Sequence, residues 1–162
     1  MRKPGIVWTS HSFFARKLAE ITGASYYGAE GLTDDGLKFI EDASPRDAVI
    51  ASIKANREGR NLQRLWNRNL VVSPPDGADA WQQLIARTHR PGQEADEVTV
   101  DVLLGCREHA NAWRKATAGA YAIRDTVGAE QKLLLADIDW PTDEEVATYT
   151  GARWETSEAA GR

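Results

Sequence analysis

Apolar residues along the chain form short continuous runs separated by segments with helical periodicity. Each run predicts a buried strand, because a strand covered by helices on both sides of a sheet carries apolar residues on both of its faces. The predicted strands are residues 5–10, 24–28, 47–53, 69–73 and 98–104. In the last run valines alternate with Thr99 and Asp101, which predicts an edge strand with one more polar face.

The segments between the runs predict helices. In residues 12–21, apolar Phe14, Leu18 and Ile21 recur at helical spacing, Ser12 can cap the start, and Gly23 can end the helix. Further helices are predicted for residues 37–43 after a 33–36 cap, for 79–90 with Asp79 as cap, and for 107–127, with Gly128 ending the last one or leading into 129–136. Strands that alternate with helices predict an α/β fold with a mostly parallel sheet of about five strands.

The remaining residues predict the organisation of the chain. Residues 142–145 form a capping box for a short helix, and residues after about 150 predict a flexible tail. We therefore expect a lobe at residues 1–105, a helical extension at 106–150 that packs on it, and a tail at 151–162. With 162 residues, 42% hydrophobic and 27% charged, the chain fits a soluble globular protein.

Composition excludes several classes of protein. No apolar run approaches the roughly 18 residues of a membrane span, and the start resembles no signal peptide, so we expect a cytoplasmic protein without a membrane partner. Cys106 is the only cysteine, and His11, His89 and His109 are scattered, which predicts no disulfide and no metal site. The net charge of -4 is uneven: residues 125–162 hold nine acids and three bases, which leaves about +2 for residues 1–124.

The most informative segment is residues 83–93. If it is helical to its end, Gln83, Arg87 and Arg90 share one narrow arc, while Trp81, Leu84, Ile85 and Thr88 pack on the other side. Pro91 disfavours helical geometry at Arg90, which places this arginine at the helix end. Two guanidinium groups there can reach a phosphate. The alternative is the solvated face of an ordinary amphipathic helix.

A second basic segment follows the third predicted strand. It holds Lys54, Arg57, Arg60, Arg64 and Arg68 against the single acid Glu58. If residues 60–68 are helical, the last three arginines lie along one stripe. This stripe is either a track for nucleic-acid phosphates or a solvated helix face, and the sequence leaves both open.

The pattern Gln-x-x-Ala-Arg-x-x-Arg-x-Gly-Gln at residues 83–93 resembles the sixth motif of superfamily-two helicases, with Ala86 where that family usually has glycine. Its Thr-His-Arg-Pro-Gly-Gln end is most similar to the Swi/Snf-type DNA translocases. Residues 54–63 resemble the fifth motif, although three residues separate Ala55 from Gly59 where the family has two small ones. Thr9, Ser10 and His11 resemble the end of the fourth. The order of the motifs over residues 5–104 is more specific than any one of them.

The resemblance implies the second RecA-like lobe of a two-lobe translocase, a three-layer α/β sandwich. It implies Arg87 and Arg90 as catalytic residues, Arg90 being the arginine finger that reaches the γ-phosphate of ATP. The implied nucleotide-binding residues are Gly59, Asn61, Gln83, Arg87 and Arg90, and the implied DNA-binding residues are Ser10, His11, Lys54, Arg57, Arg60, Arg64 and Arg68. The expected partners are a first RecA-like lobe and duplex DNA, and ATP and Mg²⁺ are expected only in a site shared with that lobe.

The sequence lacks the Gly-x-x-x-x-Gly-Lys-[Ser/Thr] loop that cradles phosphates in such ATPases. We therefore expect no ATP hydrolysis by the chain alone. A split gene product, a natural single lobe and an excised fragment remain open as its origin. A non-catalytic module that binds DNA or protein remains the alternative function, and RNA remains open beside DNA.

Overall fold

A computed structural model describes residues 3–55 and 60–135 of the chain. Four predictions concern residues outside these ranges and are not examined by the structure. They are the roles of Arg57 and Gly59, the short helix at 142–145 and the tail at 151–162.

Five strands form one parallel sheet, as the apolar runs predicted. They are β1 (Gly5–Thr9), β2 (Tyr26–Tyr27), β3 (Ala48–Ser52), β4 (Arg68–Val71) and β5 (Thr99–Val102). Their order in the sheet is β2-β3-β1-β4-β5, and every neighbouring pair is parallel. β5 lies at the edge of this sheet, which confirms the interpretation of its mixed pattern.

Helices cover both faces of the sheet. They are α1 (Ser12–Thr22), α2 (Ala78–Ile85), α3 (Arg107–Val127) and α4 (Lys132–Leu135). Side chains alternate along β1, so Trp8 belongs to the large core beneath α2, α3 and α4, whereas Val7 packs in a smaller cluster with Ala15 of α1. The result is the predicted three-layer α/β sandwich.

The large core is centred on two tryptophans. Trp81 of α2 and Trp113 of α3 meet edge to face, with ring centroids 4.9 Å apart and an interplanar angle of 77°. This contact attaches the long helix α3 to the sheet layer through α2. α3 ends at Gly128, whose φ of +70° is the left-handed cap that glycine adopts without strain.

The residues that the helices bury and expose differ in part from the predicted ones. In α1 the residue that is fully buried is Ala15, whereas Ile21 is 80% exposed and Phe14 is half exposed. In α3, the last residue, Val127, is exposed. The predicted caps Ser12 and Asp79 are also wrong, since both lie inside their helices and the N-cap residues are His11 and Gly77, which make no side-chain cap hydrogen bond.

The helix predicted at residues 37–43 is wrong. Thr33 instead donates its backbone N–H to the carbonyl of Lys38, and the Asp35 carboxylate accepts the backbone N–H of Leu37. Only a short 3₁₀ turn at Ile40–Asp42 remains. A polar side chain that competes for backbone hydrogen bonds favours a turn over a helix.

Residues 60–68 do not form a helix, so the condition for a helical stripe of arginines is not met. Leu62 donates its backbone N–H to the carbonyl of Arg87, a partner 25 residues away, and a single turn closed by the Trp66 N–H on the Leu62 carbonyl precedes β4, which begins at Arg68. Arg60, Arg64 and Arg68 therefore form no helical stripe. Among the described residues, none of the helices is long and apolar enough to cross a membrane.

Candidate functional site

The segment that links α2 to β5 carries both motif arginines, and we call residues 86–95 the arginine loop. α2 ends at Ile85, five residues earlier than the pattern predicted. Arg87 and Thr88 donate their backbone N–H groups to carbonyls three residues back, which tightens the chain out of α-helical geometry. The prediction that Gln83, Arg87 and Arg90 share one helix face is therefore wrong, because only Gln83 lies in the helix.

Arg87 and Arg90 point to different surroundings. Arg87 is only 8% exposed, and its Nη1 donates to the backbone carbonyl of Arg60 at 3.2 Å. Arg90 is exposed, and its Nη1 donates to Oδ1 of Asn61 at 2.7 Å. Thus Asn61, Arg87 and Arg90, all predicted to bind nucleotide, come together. The expectation that both guanidinium groups lie on one exposed face is therefore wrong, because Arg87 is buried.

The two segments that resemble motifs five and six form one unit. Gln93 donates through Nε2 to the carbonyls of Trp66 and Thr88, at 3.0 and 3.2 Å. Gln63 lies within 3.5 Å of the carbonyl of Pro91. Together with the Arg87 and Arg90 contacts, these hydrogen bonds hold the arginine loop against residues 60–66.

A buried polar network supports the loop from the sheet, and we call it the Asn69 network. Trp8 Nε1 donates to Asn69 Oδ1 at 3.0 Å, and Asn69 Nδ2 donates to Thr88 Oγ1 at 3.0 Å and to the carbonyl of Thr99 at 3.1 Å. Sequence reasoning missed it. The available signal was an asparagine two residues before Val71, at a core-facing position of an apolar strand.

Three of the predicted DNA-binding residues share one edge of the sheet. Ser10 and His11 follow the last residue of β1, and Lys54 follows the end of the neighbouring strand β3. The two strand ends are joined, because Ile53 donates its backbone N–H to the carbonyl of Thr9 at 2.9 Å. All three predicted side chains are exposed.

The Arg60 side chain, by contrast, contacts other residues of this lobe. Its guanidinium forms a salt bridge with both carboxylate oxygens of Glu41, at 2.8 and 2.7 Å, donates to the carbonyl of Glu30, and lies 5.9 Å from the Phe39 ring centre. Gly31, with φ of +66°, leaves it room, since a Cβ there would meet Arg60 Cζ at 2.4 Å. Arg60 therefore links residues 30–41 to the segment that precedes β4.

The other two arginines of the expected track lie apart. Arg64 is exposed in the turn after Leu62. Arg68 begins β4 beside Gly5, at the amino end of the sheet. Ser10 follows Gly5 by five positions, so Arg68 and Ser10 are about 16 Å apart along the strand direction. A single track through these arginines is therefore wrong, while DNA binding by any one residue stays a prediction.

No protein-family model matches the sequence, and no curated protein matches it. The structure is similar to the crystal structure of the C-terminal part of the Fun30 ATPase domain, with a TM-score of 0.50 and 16% sequence identity. The match covers 70% of this chain and 39% of that chain. At this identity the similarity shows the fold alone: the chain has a helicase-lobe-like α/β fold of the RecA type, and it spans well under half of its structural relative.

Proposed function

We propose that this chain is the second RecA-like lobe of an ATP-dependent DNA translocase of Swi/Snf type, and that it completes an ATPase site whose nucleotide is held by a first lobe. The observation that carries the proposal is the exposed guanidinium of Arg90, which stands beside Asn61 where the two motif-like segments join. The similarity of its fold to the C-terminal part of an ATPase domain supports the proposal.

Arg90 supplies positive charge to the transferred phosphoryl group. In ATP hydrolysis, water attacks the γ-phosphorus, the bond to the bridging oxygen of ADP breaks, and negative charge spreads over the phosphoryl oxygens. An arginine that is already in place stabilises that charge without reorganisation. Arg87, with its guanidinium on the Arg60 carbonyl, keeps the loop beneath Arg90 in position.

The residues of this lobe fit the cationic half of such a site. Within residues 3–55 and 60–135, no three His, Cys, Asp or Glu side chains are grouped to hold a metal ion. Magnesium neutralises phosphate charge in these reactions and is usually held by one or two carboxylates together with the phosphates, and we assign these carboxylates to the first lobe.

The second candidate is a module that binds duplex DNA without catalysis. It is favoured by the cluster of exposed Ser10, His11 and Lys54 at the carboxyl ends of β1 and β3. Hydroxyl, imidazole and ammonium groups of this kind contact phosphates without reading sequence. The two functions are compatible in one lobe, and they differ in whether the lobe changes ATP turnover.

Reconstitution tests the proposal. The full chain is mixed with a lobe that carries a phosphate loop and a strand-end acidic pair, encoded beside it where such a gene exists, and ATP hydrolysis is measured with and without duplex DNA. We expect turnover that needs both lobes. Hydrolysis that the first lobe performs equally well alone would reject the composite site and leave the binding module as the function.

A further inference from the structure

The arginine loop is joined to the centre of the sheet through the side-chain amide of Asn69. Trp8, Asn69 and Thr88 are 1%, 2% and 0% exposed, so their polar atoms are shielded from bulk solvent. Buried amides are kept only where their hydrogen bonds are made. Here the Asn69 oxygen accepts one and its nitrogen donates two.

The indole of Trp8 fixes the orientation of that amide. Trp8 Nε1 can only donate, so the Asn69 oxygen has to face it. The Asn69 nitrogen is then directed at Thr88 Oγ1, which has to accept. Reversing the amide would set two donors against each other at Trp8. A buried strand residue therefore determines where Thr88 sits.

Both sides of the arginine loop converge on Thr88. Its hydroxyl is held by Asn69 from below, and its carbonyl accepts the Gln93 side chain from the far side of the loop. Arg90 lies between these two attachments, and Gln93 also donates its backbone N–H to the Arg90 carbonyl. The position of Arg90 thus depends on the position of Thr88.

We infer that Asn69 is a positioning residue for Arg90 and acts through the Thr88 hydroxyl. The inference rests on the proposed function, since the position of Arg90 matters to catalysis only if Arg90 meets a nucleotide. Asn69 lies outside the segments that resemble helicase motifs. The contact therefore joins Thr88 of the motif-like segment to a strand residue that the motif pattern does not include.

The test follows the Arg90 side chain in the isolated full chain by NMR. Its Nε–Hε signal is assigned by its loss in Arg90→Ala. Thr88→Val keeps the shape of the side chain but removes the acceptor, whereas Thr88→Ser keeps the hydroxyl. Thr117→Val is the matched control, because Thr117 is a buried threonine of α3 whose hydroxyl donates to the Trp113 carbonyl, away from the loop.

We expect Thr88→Val to shift or broaden the Arg90 Nε–Hε signal. It should also speed hydrogen exchange of the backbone N–H of Gln93, which is bonded to the Arg90 carbonyl, at least tenfold. Thr88→Ser should restore both, and Thr117→Val should change neither. If Thr88→Val does not fold, Trp8→Phe removes the donor that orients the amide, and the same displacement of the Arg90 signal is expected. An Arg90 signal that stays at its wild-type position in the folded variants would show that the Asn69 network only supports the core.

The outcome is independent of the test of the proposed function. A displaced Arg90 signal together with an ATPase rate indifferent to Arg90 would reject the proposed function and keep the positioning role. An unmoved signal together with an Arg90-dependent rate would keep the proposed function and reject the positioning role. If both ideas hold, Thr88→Val should lower kcat of the two-lobe enzyme about tenfold with little change in KM, and Thr88→Ser should recover it.

Discussion

Arg90 donates a 2.7 Å hydrogen bond to the side-chain oxygen of Asn61, across 29 residues of sequence. Both side chains are exposed, so the contact holds the guanidinium at the surface without burying it. A group that is placed near its target loses less freedom when it binds. In the separate lobe, Asn61 thus keeps Arg90 close to residues 60–66 and available to a ligand brought by another surface.

The first prediction concerns the chain alone. Because its sequence holds no phosphate loop, the purified protein should show no ATP turnover above the background of a mock purification, whether or not duplex DNA is added. A phosphate-release assay measures this directly. DNA-stimulated hydrolysis that copurifies with the chain through successive columns would contradict the need for a first lobe.

The second prediction concerns DNA. If the Ser10, His11 and Lys54 edge contacts phosphates, Lys54→Ala should weaken duplex binding for all sequences and reduce the slope of log affinity against log salt by about one. Arg68→Ala, at the amino end of β4, should leave the slope unchanged. Fluorescence anisotropy over a range of salt concentrations measures both. Equal losses from the two variants would place the DNA elsewhere.

The third prediction concerns Arg60. Its side chain is 17% exposed, and it binds Glu41 with two hydrogen bonds, so Arg60→Ala should lower the free energy of unfolding by about 1–3 kcal/mol. A double-mutant cycle with Glu41→Gln should give a coupling of about 1 kcal/mol. The exposed Arg46→Ala serves as control. Additive losses in urea unfolding would mean that the salt bridge does not stabilise the fold.

The elements that the sequence predicted well are those whose own periodicity is strong. The run at β3 is apolar at nearly every position, and α3 repeats small and aromatic residues at helical spacing over 21 residues. Such elements keep their structure because packing and local preference agree. The parallel sheet followed from the alternation of strands and helices.

Two segments that differ from expectation, residues 60–68 and the end of α2, contact each other across the sequence. Leu62 donates its N–H to the Arg87 carbonyl, which holds the segment before β4 against the arginine loop. α2 ends at Ile85, which turns Arg87 inward, although the three-residue spacing of Arg87 and Arg90 reads as one helix face. No pattern along the chain reveals such partners, and a single asparagine in an apolar strand marks Asn69 without showing which groups it bonds.

The fourth prediction concerns alkaline pH. Burial raises the pKa of Tyr26 and of Tyr27 above the ordinary value of about 10. Because the raised pKa belongs to the folded state, the stabilising contribution is complete below pH 10 and is lost as the pH rises through the raised values. The free energy of unfolding should fall above pH 10, less so in the Tyr26→Phe/Tyr27→Phe variant. The exposed Tyr121→Phe should match the wild type.

The central claim is that Arg90 acts on a nucleotide held by a partner. Arg90→Ala should change the free energy of unfolding by less than about 0.5 kcal/mol, since the side chain is exposed. Arg90→Lys keeps the charge but loses the planar fork, and Arg46→Ala removes an exposed arginine at the opposite end of β3. Comparison of these three variants separates the effect of the Arg90 guanidinium on catalysis from effects of net charge and of folding.

The most direct measurement is the ATP turnover of the two-lobe enzyme at saturating ATP with each variant. An arginine finger contributes roughly 10³- to 10⁵-fold to the rate in related phosphoryl-transfer enzymes. We therefore predict a loss of about a thousandfold or more with Arg90→Ala, a partial loss with Arg90→Lys and none with Arg46→Ala, while DNA affinity stays the same. A rate with Arg90→Ala equal to that with Arg46→Ala would contradict the account.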